Sequence, residues 1–207
     1  MKKHQVHNLI ILDESGSMFS IKKQIISGFN EVVQTVKGVE QQFPEQEHFI
    51  SFITFNGLGI TDQLFNAPVK FLKELDEAGY NPGASTPLYD AIGYGVSKLE
   101  RLLEGISDYN VLVTVLTDGE ENSSREYTLV AIKSKIEDLK NKRWTFTYTG
   151  TDHDVYQSAK NLSIDNYMQF SKDDLAMEAM FSKEKAARMN YSHKIRTGKD
   201  TDKDFYN

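Results

Sequence analysis

Leu9-Ile10-Ile11-Leu12-Asp13-Glu14-Ser15-Gly16-Ser17 is the stretch whose reading decides the fold. The segment Val6 to Leu12, with its unbroken apolar run from Leu9, reads as a strand buried on both faces, the pattern of a central strand in a parallel sheet. It stops abruptly in D-x-S-x-S, so Asp13, Ser15 and Ser17 fall where the strand breaks into a loop. One carboxylate and two hydroxyls are hard oxygen donors of the kind Mg²⁺ or Mn²⁺ takes. Asp, Ser and Gly are also ordinary turn residues. The pattern therefore gains its weight from what lies further along the chain.

Two later segments end in the same way. Val111-Leu-Val-Thr-Val-Leu-Thr-Asp-Gly119 is a second apolar run, closing in Thr117, Asp118 and Gly119. Asn81-Pro-Gly-Ala-Ser-Thr-Pro-Leu88 is a Gly/Pro-rich loop that presents Ser85 and Thr86 just before a helix. Between these segments the period switches between strand and helix. Ile21, Ile25, Phe29, Val32 and Val36 share one helical face, which Gly38 is expected to close. Phe49 to Phe55 is a strand, and Leu64 with Phe65 mark a short antiparallel edge strand after a tight turn. Leu88, Ile92, Val96, Leu99 and Leu103 form a helical stripe, as do Leu129, Ile132, Ile136 and Leu139. Trp144 to Tyr148 and Tyr167 to Phe170 are the last strands, separated by a short helix from Val155 to Leu162 that Asp152 and Asp154 are expected to cap.

Such alternation predicts an α/β fold: a doubly wound, mostly parallel sheet with one short antiparallel edge strand and helices on both faces. In the strand order 3-2-1-4-5-6, strands 1 and 4 are neighbours where the winding reverses. Those are the strands that end in Asp13 and Asp118. Open α/β sheets bind ligands outside the carboxyl ends of strands at that reversal. Residues 1–171 are expected to form this domain, residues 172–190 a helix packed on or beside it, and residues 191–207 a mobile tail with little to bury.

Composition narrows the function classes. A chain of 207 residues with 39% hydrophobic and 26% charged residues suits one well-buried α/β core. The net charge of −6 argues against general nucleic-acid affinity. The absence of cysteine excludes disulfides, a thiol nucleophile and thiolate metal ligands. The apolar run after Met1 is too short for a signal peptide or a membrane span, so a cytoplasmic monomer is expected. His4, His7, His48, His153 and His193 make no i, i+4 pair, which disfavours zinc. Carboxylate stands where a dinucleotide-binding chain would have G-x-G-x-x-G. Glu120 and Glu121 read as solvated loop charges, and Lys183, Lys185, Arg188, Lys194 and Arg196 as solvated surface. Ser17 and Thr86 would also serve simply as helix caps.

The D-x-S-x-S run, the loop threonine followed by Pro-Leu and the strand ending T-D-G resemble the von Willebrand factor A family over roughly residues 5 to 170. The chain looks most like compact intracellular bacterial or phage-encoded members. The resemblance implies a metal-ion-dependent adhesion site in which Asp13, Ser15, Ser17, Thr86 and Asp118 hold Mg²⁺ or Mn²⁺, with Ca²⁺ as an alternative. It implies a protein-interaction module whose ion takes an Asp or Glu side chain from a partner. MoxR-type AAA+ ATPase systems are the partners it suggests. The competing reading is a metal-assisted phosphatase or hydrolase using Asp13. Against an enzyme stand the hydroxyl-rich shell, the absence of a motif-placed histidine base, and Ser15 where a phosphotransfer pattern would want Asp.

Overall fold

The computed structural model describes residues 3–151 and 153–206. Among them run the strands β1 (His4–Asp13), β2 (Gln46–Asn56), β3 (Gly59–Pro68), β4 (Tyr109–Thr117), β5 (Trp144–Gly150) and β6 (Asn166–Gln169). The α-helices are α1 (Lys22–Gln42), α2 (Leu88–Leu102), α3 (Leu129–Lys140), α4 (Val155–Asn161) and α5 (Asp174–Arg196). The strands form a single sheet in the order β3-β2-β1-β4-β5-β6, parallel throughout except for the β2–β3 pair. This is the doubly wound order expected from the sequence, with the reversal between β1 and β4. The edge strand β3 is longer than expected, at ten residues. Its first half is mostly polar and exposed, with Ile60 alone packed on the core, so the apolar signal was concentrated at Leu64 and Phe65.

The two-residue period of β1 divides the core. Leu9 and Ile11 face one side with Ile53, Phe55, Val113 and Val115, under the apolar stripes of α2, α3 and α4. Ile10 and Leu12 face the other, under α1 and α5. Helix α1 runs through Gly38 to Gln42 rather than ending there, because Val39 continues its buried stripe. It stops at Phe43, ahead of Pro44, as a residue preceding proline disfavours the helical region. Where α1 and α5 cross, a Cβ on Gly28 would lie 1.8 Å from the Phe181 ring. Only glycine allows that approach.

The C-terminal third departs from the sequence expectation. Helix α5 continues to Arg196, and Tyr191 and Phe205 are buried against Val6 and Leu112. The segment 191–207, expected to have little to bury, thus supplies core residues over its described part. The reading of Arg188 as solvated surface is also corrected. Arg188 and Glu184 are both buried, paired at 2.8 Å one helical turn apart. The guanidinium also donates to Thr114 Oγ1 (2.7 Å) and Asn8 Oδ1 (3.3 Å) on the sheet, and Tyr206 donates to Glu184 Oε2 (2.8 Å). These bonds satisfy the groups a buried ion pair would otherwise strand.

Candidate metal centre

At the carboxyl ends of the paired strands β1 and β4, Asp13 ends the first and Asp118 directly follows the second, and both are buried. Asp13 Oδ1 accepts the Ser15 backbone N–H at 2.7 Å, and its Oδ2 accepts the Thr117 hydroxyl at 2.5 Å. Ser15 and Ser17 place their hydroxyls 3.2 Å apart, and Ser17 donates to Asp118 Oδ1 at 2.6 Å. Thr86 joins from the third loop. A Cβ built on Gly119 would stand 3.7 Å from both Thr86 Oγ1 and Ser17 Oγ, so the two hydroxyls flank the same point of backbone. Asp13, Ser15, Ser17, Thr86 and Asp118 are thereby brought together from three loops.

Neither hydroxyl does the work of a helix cap. Ser17 lies inside a short 3-10 turn (Gly16–Ile21) and α2 begins at Leu88 with Pro87 at its N-cap, in both cases without a side-chain cap bond. Thr86 is itself buried; its amide donates to Asn122 Oδ1 at 2.8 Å, and its hydroxyl lies near Gly119 beside that of Ser17.

The loops are held by backbone bonds. Gly16 donates to the Ala84 carbonyl (3.0 Å), Gly83 to that of Glu14 (2.9 Å), and Asn122 closes a two-way clamp on the backbone of Thr86. Tyr80, wholly buried, donates to the Asp13 carbonyl at 2.6 Å, and burial pushes its own phenol far above the ordinary range. Burial likewise pushes Asp13 from 3.8 up to about 6; the Thr117 and Ser15 hydrogen bonds pull it down, and the Asp118 charge adds to the rise. A carboxylate that is costly to ionise in the dry state gains most from a cation.

Sequence reasoning missed several of these residues. Thr117 sat in the T-D-G run without a role. Glu121, read as solvated, accepts the Tyr89, Ser123 and Ser124 amides and the Ser124 hydroxyl, which ties the β4 loop to the start of α2. Asp154 caps α4 as expected, accepting from Gln157 at 2.8 Å, while Asp152 lies outside the described residues. Lys172, which follows β6, reaches back to donate to Asp118 Oδ2 at 2.7 Å. No local pattern announces such a contact.

Hard oxygens make up the whole donor set, and the two carboxylates are its only charged members, which suits a small divalent ion. Among the described residues there is no cluster of three or more His, Cys, Asp or Glu that could hold a metal. An ion held here would therefore depend on the hydroxyls as well as the two carboxylates. The rim is partly apolar: Phe19, two residues past Ser17, is 71% exposed, and Leu58 in the β2–β3 turn is 88% exposed. That turn touches the Thr86 loop, since a Cβ on Gly57 would meet Ser85 Oγ at 2.3 Å. No helix of the described residues is long and apolar enough to cross a membrane.

The family model for the von Willebrand factor type A domain matches residues 9–183. Among solved structures, a von Willebrand factor type A protein from Catenulispora acidiphila superposes with a TM-score of 0.57 at 16% identity, covering 90% of this chain and 43% of that one. Proximal thread matrix protein 1 from the mussel byssus gives 0.61 at 14%, covering 90% and 47%. The SpRpn10 VWA domain gives 0.54 at 10%, covering 86% and 94%. The chain spans less than half the length of the first two. No curated protein matches it. At these identities the likeness speaks for the fold alone.

Proposed function

The chain belongs to the von Willebrand factor type A family, and from that premise we propose that it is a protein-interaction module that grips an acidic residue of its partner through a divalent ion. The observation that carries this reading is the convergence of five oxygen-bearing side chains at the β1/β4 reversal, with both carboxylates buried. Asp13, Ser15, Ser17, Thr86 and Asp118 would hold Mg²⁺ or Mn²⁺, which supplies a Lewis-acidic position for a carboxylate. Two carboxylates balance a divalent ion only formally, and the neutral hydroxyls leave it electrophilic, which favours a further anionic ligand.

The other residues keep that arrangement in register. Thr117 and the Ser15 amide each hold one oxygen of the Asp13 carboxylate, and Asn122 fixes Thr86 by its backbone. Phe19 and Leu58 add exposed apolar area on two sides of the site. Apolar contact of this kind supplies affinity, while the carboxylate supplies register. The notion of a MoxR-type AAA+ ATPase system as the partner rests on family resemblance.

Affinity capture tests the reading. The chain is used as bait with Mg²⁺, with EDTA, and as Asp13→Ala with Mg²⁺. Partners retained only by wild type with Mg²⁺ are the expected result. Equal capture in EDTA, by a wild-type chain shown to bind Mg²⁺, would refute an ion-mediated contact.

A further inference from the structure

Lys172 stands beside the five site residues without being one of them. Its side chain is one-fifth exposed, whereas that of Asp118, to which it donates at 2.7 Å, is fully buried. Asp118 is thus engaged on both oxygens, by the Ser17 hydroxyl on one and by the lysine ammonium on the other. The turn that delivers the lysine is firmly seated. Asp173 caps α5 by accepting from Ala176 at 2.9 Å, and Gln24 of α1 donates to Asp174 at 2.8 Å. Lys172 also approaches Ser20 Oγ at 3.4 Å, so it spans from the second strand-end loop to the turn that follows the first.

We propose that Lys172 is a tethered cation that competes with the divalent ion for Asp118 and so sets the metal affinity of the site. The inference rests on the metal-dependent reading above. Its argument is charge balance. Asp13 and Asp118 together carry two negative charges when ionised, and the docked ammonium already cancels one. A divalent ion arriving beside a retained ammonium would leave one excess positive charge against two buried carboxylates, where like charges are less screened than in water. Release of the lysine to solvent, which its partial exposure permits, restores neutrality. Binding of the ion is then an exchange of one cation for another. Its apparent affinity is scaled by the fraction of molecules in which the lysine is undocked: if nine in ten are docked, the loss is about tenfold.

The exchange separates this role from a structural one. Replacing Lys172 by Gln leaves Asp118 buried without its counter-charge, so in EDTA the variant should melt lower than wild type. Toward an ion the same variant should gain. Manganese titration by calorimetry on the full chain, for wild type, Lys172→Gln and Lys172→Arg at one ionic strength, is the experiment. Lys172→Gln is expected to bind Mn²⁺ about tenfold more tightly than wild type, and Lys172→Arg, which keeps the charge, within about threefold of it. Lys172→Gln binding at wild-type affinity or more weakly, in a protein that still melts cooperatively, would overturn the inference and leave the metal site standing. Cooperative melting with no Mn²⁺ uptake by wild type or variant would overturn both.

Discussion

Asp13→Asn should make the protein more stable at neutral pH in EDTA, although it removes the carboxylate that the proposed ion requires. Asp13 is fully buried, and that burial raises its carboxyl from 3.8 to about 6. A group whose folded-state value is raised holds its proton more tightly when folded. Its contribution to stability is fully present below 3.8 and is lost as pH climbs through about 6. The gap of about two pH units corresponds to about 3 kcal/mol of ionisation cost at pH 7.5. Asparagine escapes that cost with little change of geometry. Its Oδ1 can still accept the Ser15 amide, and its Nδ2 can donate to Thr117 Oγ1, whose proton turns to the Gly119 carbonyl 3.1 Å away. Urea unfolding of both proteins in EDTA from pH 4 to 8 is the assay. The variant should lead by up to about 3 kcal/mol at pH 7.5, roughly 6–12 °C in melting temperature for a domain of this size, and lose the lead near pH 4. Parallel stability curves across that range would show that Asp13 is not the strained ionisable group described above.

Four further outcomes follow from the same structure. With Mg²⁺ at about a hundred times its dissociation constant, wild type should gain about 2.7 kcal/mol and Asp13→Asn almost nothing, measured by the same urea titrations. Thr117→Val removes a hydrogen bond from a buried carboxylate and should cost about 1–3 kcal/mol, with Thr117→Ser restoring most of it. Gly28→Ala drives a methyl into the Phe181 ring and should destabilise by about 1–3 kcal/mol, an effect that Phe181→Ala should shrink in a double-mutant cycle. Truncation after Asn190 removes Tyr191 and Phe205, each fully buried and worth about 1.5–3 kcal/mol; an unchanged melt would contradict their place in the core.

The architecture and the five candidate ligands were legible because they rest on local regularities. Apolar runs of strand length, 3.6-residue stripes and oxygen-bearing turns at strand ends can each be read within a dozen residues. What escaped depends on distance along the chain. Lys172 meets Asp118 across 54 residues, and the Arg188 guanidinium finds Thr114 across 74. A lone lysine in a turn, or an arginine on a mixed-charge helix, looks solvated until the partner it reaches is known. Glu121 was misjudged for a related reason. Its partners are backbone amides, which every sequence contains and none displays. The C-terminal segment was read as a tail because Phe205 and Tyr206 lie beyond any helical stripe; they fold back and pack on each other and on Tyr191 of α5.

The spacing of the candidate ligands along the chain also orders events in folding. Asp13 ends β1 and Asp118 directly follows β4, and their strands pair in parallel across roughly a hundred residues of intervening chain. Such a contact is slow to close, because the loop entropy is spent before the pairing returns anything. During synthesis β1, β2 and β3 can zip together while β4 is still unmade, leaving Asp13 at the open edge of a three-stranded sheet with no second carboxylate beside it. The proposed ion site would then be among the last features to mature, so a nascent or nicked chain could be folded over its first half and still lack it.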